Sequence, residues 1–222
     1  MILFLSSCFK RSLSDDKDLQ FGRSYLGEKL TSHFPNNDVF EKYVVIKDTS
    51  AYYNTMDMSL TLFDSDADKR INKVLNEYKN KNIYIDNDSC IVVLNDFINK
   101  NDLSNISNSM ENNSDYIYSE PLKNYISKIY KNCTDKYKVI PNFWQGYYGG
   151  FSSQDQIADT RSHLDRNFKF IIIDSQFSDT ATWSPKLDPP KSYMPDPVRH
   201  GYSRGIAFNE RERIIIYWVI LW

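Results

Sequence analysis

A candidate catalytic serine lies in the stretch Gly201-Tyr202-Ser203-Arg204-Gly205, which matches the G-x-S-x-G pattern of a nucleophile elbow. In that motif a strand feeds a sharp turn that lifts the serine onto the N-terminus of a helix. Here prolines precede the pattern, a strand-like run follows it, and no histidine follows Ser203 as the α/β-hydrolase order requires. The context favours a glycine-flanked start of a strand, with a catalytic Ser203 as the alternative.

Two of the three histidines precede long apolar runs and could supply a base for such a serine. If the loops before the last two long strands meet, then five residues could share a rim that acts as a hydrolytic or phosphate-binding site: His163, Asp165, Arg199, His200 and Ser203. The alternative is a solvated edge. The third histidine, His33, lies at the C-terminal end of a predicted helix and is interpreted as structural.

Aromatic side chains and glycines are mixed over residues 143–151. Trp144, Tyr147 and Tyr148 could form a contact surface for a ligand or a protein, because Trp and Tyr dominate interface hot spots. In the alternative interpretation these rings fold over the sheet as a satellite core.

Composition excludes some function classes. The 222-residue chain is 41% hydrophobic, with a formal net charge of -2 and a pI near 5.9. This balance gives no electrostatic case for binding nucleic acid, which requires basic patches. The sequence contains no P-loop, G-x-G-x-x-G, H-E-x-x-H or C-x-x-C motif, and no two cysteines at metal-ligand spacing, so no cofactor and no metal is predicted.

The N-terminus is an apolar run that ends in Leu5-Ser6-Ser7-Cys8. This stretch resembles the lipobox of bacterial lipoproteins, in which a leucine and two small residues precede the modified cysteine. The resemblance implies that Cys8 is acylated as the first residue of the mature protein, with the domain anchored to a membrane of the bacterial cell envelope. The alternative is an ordinary N-terminal strand or tail that contains a cysteine.

The other two cysteines, Cys90 and Cys133, form an even pair if Cys8 carries lipid. In an oxidising compartment they could form a disulfide. Two separate buried thiols are the alternative.

Hydrophobic periodicity predicts the elements that must position these residues. Helices are predicted over residues 18–34, after the acidic cluster at 64–68, and after Ser119 and Pro121. Strands are predicted at 43–47, 56–62, 137–140 and 168–173, with a hairpin formed by 83–85 and 90–94. The alternation in 56–62 predicts one buried and one solvent-exposed face.

The last 22 residues predict a second hairpin, in which a short apolar run, a charged turn at 209–213 and a long apolar run follow one another. Both faces of the final run are apolar: Ile214, Ile216, Trp218, Ile220 and Trp222 on one side, Ile215, Tyr217, Val219 and Leu221 on the other. This strand is therefore predicted to lie inside the sheet, covered on two faces.

These predictions together indicate an α+β fold: a mostly antiparallel or mixed sheet with about three packed helices and the C-terminal hairpin in its core. Residues 1–17 are interpreted as signal remnant and tether, and residues 18–222 as a single domain. The leading hypothesis is a cell-envelope lipoprotein that binds a protein or ligand, in one version as an immunity-type protein that neutralises a toxin. The alternative is an envelope hydrolase that uses the rim around His163, His200 and Ser203.

Overall fold

The computed structural model of the protein describes part of the 222-residue chain. The described residues are 11–36, 39–40, 42–48, 55–63, 66–94, 127–133, 138–143, 160, 162, 164–180, 182–183, 187, 194 and 196–222. Their strands, in chain order, are β1 (Arg11–Ser12), β2 (Val39–Phe40), β3 (Lys42–Asp48), β4 (Met56–Phe63), β5 (Ile83–Ile85), β6 (Ile91–Val93), β7 (Lys138–Ile140), β8 (Lys169–Ser178), β9 (His200–Asn209) and β10 (Ile214–Leu221). The helices are α1 (Lys17–Leu26), α2 (Glu28–Thr31) and α3 (Ala67–Glu77), and residues 127–132 are also helical.

The main sheet has six strands in the order β3-β4-β10-β9-β8-β5, and every neighbouring pair is antiparallel. A small sheet pairs β6 with β7 in parallel, and β1 pairs with β2 antiparallel. Helices packed on a mostly antiparallel sheet make this an α+β fold, so the predicted fold class is confirmed.

The predicted C-terminal hairpin is confirmed and lies at the centre of the main sheet. Strands β9 and β10 pair from Asn209 with Ile214 onward, and β4 pairs along the other side of β10. The turn is closed by the Asn209 side chain, whose Oδ1 accepts a hydrogen bond from the Glu212 backbone N–H at 3.1 Å. Arg213 ends the turn with a left-handed φ of 55°.

Two cores lie on opposite faces of the main sheet, and β10 contributes to both. The helix-side core combines the buried faces of α1, α2 and α3 with Ile215, Tyr217, Val219 and Leu221. The disulfide-side core combines β6, β7 and the helical residues 127–132 with Ile214, Ile216, Trp218, Ile220 and Trp222. The predicted assignment of β10 side chains to two covered faces is confirmed residue by residue.

The single helix predicted over residues 18–34 is divided in two. Asp16 caps α1, its carboxylate accepting a hydrogen bond from the Leu19 N–H at 2.9 Å. Gly27 then adopts a φ of 87°, which interrupts the helix before α2 begins. The prediction of one continuous helix was wrong at Gly27, although Leu19, Leu26, Leu30 and Phe34 are buried as its apolar stripe requires.

The solvent-exposed face predicted for residues 56–62 was also wrong. Ser59 and Thr61 are 2% and 1% exposed, and they lie beside Trp218 and Ile216 of β10 on the disulfide-side face. The reason is that β4 is an inner strand with both faces covered, so its short polar side chains are buried with the apolar ones.

The hairpin predicted for residues 83–85 and 90–94 does not form. Strand β5 joins the edge of the main sheet beside β8, whereas β6 pairs with β7 in the second layer. Two consecutive turns, closed by Asp88 N–H to Ile85 carbonyl and Ile91 N–H to Asp88 carbonyl hydrogen bonds, lead the chain out of the main sheet.

The folded body includes residues before the predicted boundary at 17/18. Arg11 pairs with Phe40 in the β1–β2 ladder, and Leu13 is fully buried in the helix-side core. None of the described helices is long and apolar enough to cross a membrane.

Candidate functional site

The candidate nucleophile Ser203 is fully buried in the middle of β9, paired with Ile220 of β10. Its hydroxyl has no hydrogen-bond partner within the described part of the chain. An activated serine needs a base within hydrogen-bond reach and access for substrate, and the described surroundings of Ser203 supply neither.

The glycines of the G-x-S-x-G pattern have a packing role. A Cβ atom added at Gly205 would overlap the indole ring of Trp218, and one added at Gly201 would overlap that of Trp222. Gly201, Ser203 and Gly205 alternate on one face of β9, so their small size leaves room for the two indole rings. The pattern that resembles a nucleophile elbow is thus explained by core packing within β9, a reason that the interpretation as a glycine-flanked strand start did not include.

Of the other residues of the predicted rim, His200 and Asp165 are described by the structure and do not assemble around Ser203. His200 is 2% exposed and begins β9, three positions before Ser203, so strand alternation directs the two side chains to opposite faces of the sheet. Asp165 is exposed, and its Oδ1 accepts hydrogen bonds from the backbone N–H and side-chain amide of Asn167. His163 lies outside the described residues.

The predicted lipid attachment at Cys8 and the predicted binding residues Trp144, Tyr147 and Tyr148 also lie outside the described residues. The first residue of the aromatic stretch, Phe143, is described and is 1% exposed. Its ring packs edge-on against Trp218 at a centroid distance of 5.9 Å. The stretch therefore begins inside the disulfide-side core.

Cys90 and Cys133 are joined by a disulfide bond in the structure. The bond connects the turn before β6 to the end of the helical residues 127–132, across a sequence separation of 43. Cys133 is 6% exposed within the disulfide-side core, and the bond joins two parts of the layer that covers this face of the sheet. Of the chain's three cysteines, Cys8 is the one outside this bond.

A polar cluster on the helix-side face was not found from the sequence. The Tyr202 hydroxyl donates a hydrogen bond of 2.7 Å to Asp174 Oδ2, and Arg204 Nε lies 3.9 Å from the same oxygen. The Arg204 guanidinium also donates to the Lys29 carbonyl and the Ser32 hydroxyl. The cluster therefore ties α2 and the residue after it to strands β8 and β9.

The position of Asp174 depends on a β-bulge. The pairing of β8 with β9 shifts between Ile172 and Asp174, so that Asp174 lies opposite Arg204. Alternation in the sequence does place Tyr202 and Arg204 on one face, opposite to Ser203. No feature of the sequence indicates the β-bulge that places Asp174 in this cluster.

Burial dominates the titration of two groups near Arg204. Desolvation, with a smaller contribution from Asp174, raises the pKa of Tyr202 to about 12.

Desolvation lowers the pKa of His33 to about 3, and the positive charge of Arg204 adds to this effect. Since His33 Nε2 lies 2.9 Å from the Trp218 carbonyl oxygen, this nitrogen must carry the proton. His33 Nδ1 is buried with no hydrogen-bond partner among the described residues, so the neutral ring is structural and unsuited to acid–base catalysis at neutral pH.

Helix α1 exposes two large aromatic side chains. Phe21 and Tyr25 are 48% and 39% exposed, and their rings stack at a centroid distance of 5.9 Å. Lys47 of β3 lies with its Nζ 4.7 Å from the Phe21 ring centroid and 3.3 Å from the Asp18 carboxylate. We call Asp18, Phe21, Tyr25 and Lys47 the α1 aromatic patch.

Two further apolar residues are exposed at the opposite edge of the sheet. Ile83 and Ile85 of β5 are 50% and 54% exposed. Beside Ile85 is a cavity of about 180 Å³ that is also lined by Asp86, Thr160 and Arg166. The Asp86 carboxylate accepts a hydrogen bond of 2.9 Å from the Ser162 N–H, so it holds the loop before β8 in place.

No group of three or more His, Cys, Asp or Glu side chains within the described ranges is arranged to hold a metal ion. Comparison of the chain with protein-family models, with curated proteins and with solved structures finds no match.

Proposed function

We propose that this protein is a lipid-anchored protein of the bacterial cell envelope, held to the membrane through Cys8, that acts by binding a protein or ligand. The arrangement of the three cysteines carries the proposal. Cys90 and Cys133 are joined to each other, and the remaining Cys8 stands in the lipobox-like sequence Leu5-Ser6-Ser7-Cys8.

The disulfide supports the envelope as the location of the domain. Disulfides form and persist in oxidising compartments such as the bacterial periplasm and the cell surface, and are rare in the cytosol. A domain that is fastened by such a bond is suited to the outer side of the cytoplasmic membrane.

Burial of Ser203 and His200, two of the candidate catalytic residues, favours binding over catalysis. Ser203 is fully buried opposite Ile220 of β10, and strand alternation directs His200 to the other face of the sheet. The geometry therefore gives the hydrolase alternative no support. Trp144, Tyr147 and Tyr148 remain the proposed contact residues for a protein or ligand, and an immunity-type protein is one form of this function.

The anchor is tested by metabolic labelling with a fatty-acid analogue in a bacterial host. The wild-type chain should be labelled and Cys8→Ala should not, whereas the matched control Ser7→Ala keeps a small residue before the cysteine and should be labelled as the wild type is. Equal labelling of wild type and Cys8→Ala would overturn the proposed anchor.

A further inference from the structure

The folded body begins very close to the proposed anchor. Only two residues separate Cys8 from Arg11, which is already paired with Phe40. An extended chain spans at most about 3.6 Å per residue, so the Cα atoms of Cys8 and Arg11 are at most about 11 Å apart. If Cys8 is acylated, as the proposed function requires, the domain must rest against the bilayer surface.

The short tether determines which side of the domain faces the membrane. Phe40, the partner of Arg11, lies two residues before β3, which is one edge strand of the main sheet. Helix α1 packs along the same strand. The segment between Arg11 and Phe21 contains a 3-10 turn and one helical turn, so their Cα atoms are within about 25 Å. The β3 edge is thus near the anchor, together with α1, which packs on it, and α3, whose Arg70 guanidinium lies 4.3 Å from the Phe40 ring centroid.

The chemistry of the α1 aromatic patch fits a lipid headgroup region. One side of α1 buries Leu19, Gly22 and Leu26, which leaves Phe21 and Tyr25 directed away from the core. Aromatic side chains, tyrosine especially, are favoured at membrane–water interfaces, where the ring meets acyl chains and the hydroxyl meets water. The Lys47 ammonium beside the rings is paired with the Asp18 carboxylate at 3.3 Å, so a headgroup phosphate would replace this carboxylate as its partner, while the aliphatic stem of Lys47 covers the aromatic surface.

We propose that the α1 aromatic patch is the surface by which the domain docks on the headgroup region of the membrane that holds the Cys8 anchor. The proposal rests on the proposed function, because a tether of two residues keeps the domain at the bilayer and the patch is the exposed aromatic surface on the β3 side of the sheet. The exposed pair Ile83 and Ile85 is not a docking site of this kind. It lies at the other edge of a six-stranded sheet, five strand spacings or roughly 24 Å from β3.

The patch alone is too small to hold the protein on a membrane, since even a single myristoyl chain gives only marginal, reversible binding. With the chain anchored at Cys8, docking becomes an intramolecular step at a high effective concentration. The patch would then set the orientation of the domain and leave its other surfaces free for a partner.

The test attaches the full-length protein, with its disulfide intact, to phosphatidylethanolamine–phosphatidylglycerol vesicles through a maleimide lipid. Cys8 is the only free thiol for this reaction, so the tether does not depend on acylation in the cell. Two variants are compared in vesicles with brominated acyl chains: Phe21→Trp in the patch and Ile83→Trp at the far edge. Both positions are about half exposed, so the new side chains replace exposed apolar ones.

The chain already contains four tryptophans, so the emission of the wild-type protein, measured tethered and untethered, is subtracted from that of each variant. The difference emission for position 21 should shift to the blue on tethering and should lose most of its intensity to bromine quenching. The difference emission for position 83 should stay as it is in the untethered protein. Equal quenching at both positions, or none at position 21, would overturn the docking surface.

A further variant keeps the conclusion independent of the added tryptophan. With Lys47→Ala and Tyr25→Ser introduced together into Phe21→Trp, quenching at position 21 should fall. Unchanged quenching would contradict a role of these side chains. Failure of the acyl-labelling experiment at Cys8 would remove the natural anchor, which is a separate result from failure of docking on a chemically tethered vesicle.

Discussion

His33 is a buried histidine whose proton balance affects stability. Its Nε2 donates to the Trp218 carbonyl oxygen, and burial next to Arg204 lowers its pKa from 6.5 to about 3. A base with a depressed folded pKa binds fewer protons when folded than when unfolded. Its contribution to stability is complete above pH 6.5 and is lost as the pH falls from 6.5 toward 3.

We therefore expect the free energy of unfolding to decrease between about pH 6.5 and about pH 5, by at most about 1.4 kcal/mol per pH unit from this residue. His33→Gln keeps an N–H donor for the Trp218 carbonyl and should flatten the slope in this window, in which most carboxylates stay ionised. Urea unfolding midpoints of both proteins across this range measure the effect. Parallel pH profiles would contradict a buried neutral His33.

At the scale of elements, β9 and β10 fit together by size. The small side chains of β9 lie under the large ones of β10, and the two substitutions that test this are Gly205→Ala and Ser203→Ala. The methyl group added by Gly205→Ala would overlap Trp218, and overpacking a core costs about 1–3 kcal/mol. Ser203→Ala only removes a buried hydroxyl that has no partner in the described structure, so it should be neutral or slightly stabilising.

Denaturant midpoints of these two variants and the wild type check the prediction, and Ser203→Ala is the matched control at the neighbouring site on the same face. A large loss of stability in Ser203→Ala would show that its hydroxyl has a partner. Covalent labelling of Ser203 by a fluorophosphonate probe would contradict its burial, because a fully buried hydroxyl is out of reach of the reagent.

The sequence predicted best those elements whose composition is compatible with a single position in the fold. β10 has apolar residues on both faces, so its central place in the sheet follows from hydrophobicity alone. β4 shows the opposite case, because alternation is typical of a half-buried strand, and its polar face is buried only through its neighbours. Gly27 was visible in the sequence, but helical periodicity on both sides of it concealed the break.

The polar cluster of Asp174, Tyr202 and Arg204 could not be predicted for a related reason. An arginine in a sequence is expected to be at the surface, and its burial depends on partners that are distant in the chain. Here the partners come from β8 and from α2, and a β-bulge sets the register of one of them. Local patterns predict which residues share a face, whereas bulges and crossing helices decide what covers that face.

At the scale of the whole molecule, one sheet separates two cores that are stabilised in different ways. The helix-side core is covered by three helices. Helices α1 and α2 precede β3 and β4 in the chain, and α3 follows them. Within the described residues, the disulfide-side core is covered by shorter elements, β6, β7 and residues 127–132. The disulfide bond joins the residues that flank β6 and the helical residues 127–132, so it adds a covalent connection within this layer.

Breaking the Cys90–Cys133 bond should destabilise the protein strongly. A loop closed over 43 residues restricts the unfolded chain enough to contribute up to about 4 kcal/mol. Cys90→Ala with Cys133→Ala should therefore lower the denaturant midpoint. A reductant should lower the midpoint of the wild type toward that of the double variant and leave the variant unchanged. The control Cys8→Ala, which keeps the disulfide, should unfold as the wild type does.

The double variant Cys90→Ala, Cys133→Ala should also show which segments open more easily without the disulfide. Because the bond fastens residues 127–132 over β6 and β7, the amides of Ile91–Val93 and Lys138–Ile140 should exchange with solvent faster in the native state. The amides of β10 lie between two hydrogen-bonded neighbouring strands in the middle of the main sheet. The difference between their free energy of exchange and the global free energy of unfolding should therefore stay the same as in the wild type. Hydrogen exchange followed by mass spectrometry separates the two segments. A uniform increase that tracks global stability would mean that the disulfide acts on the unfolded chain alone and that its layer is equally well held without it.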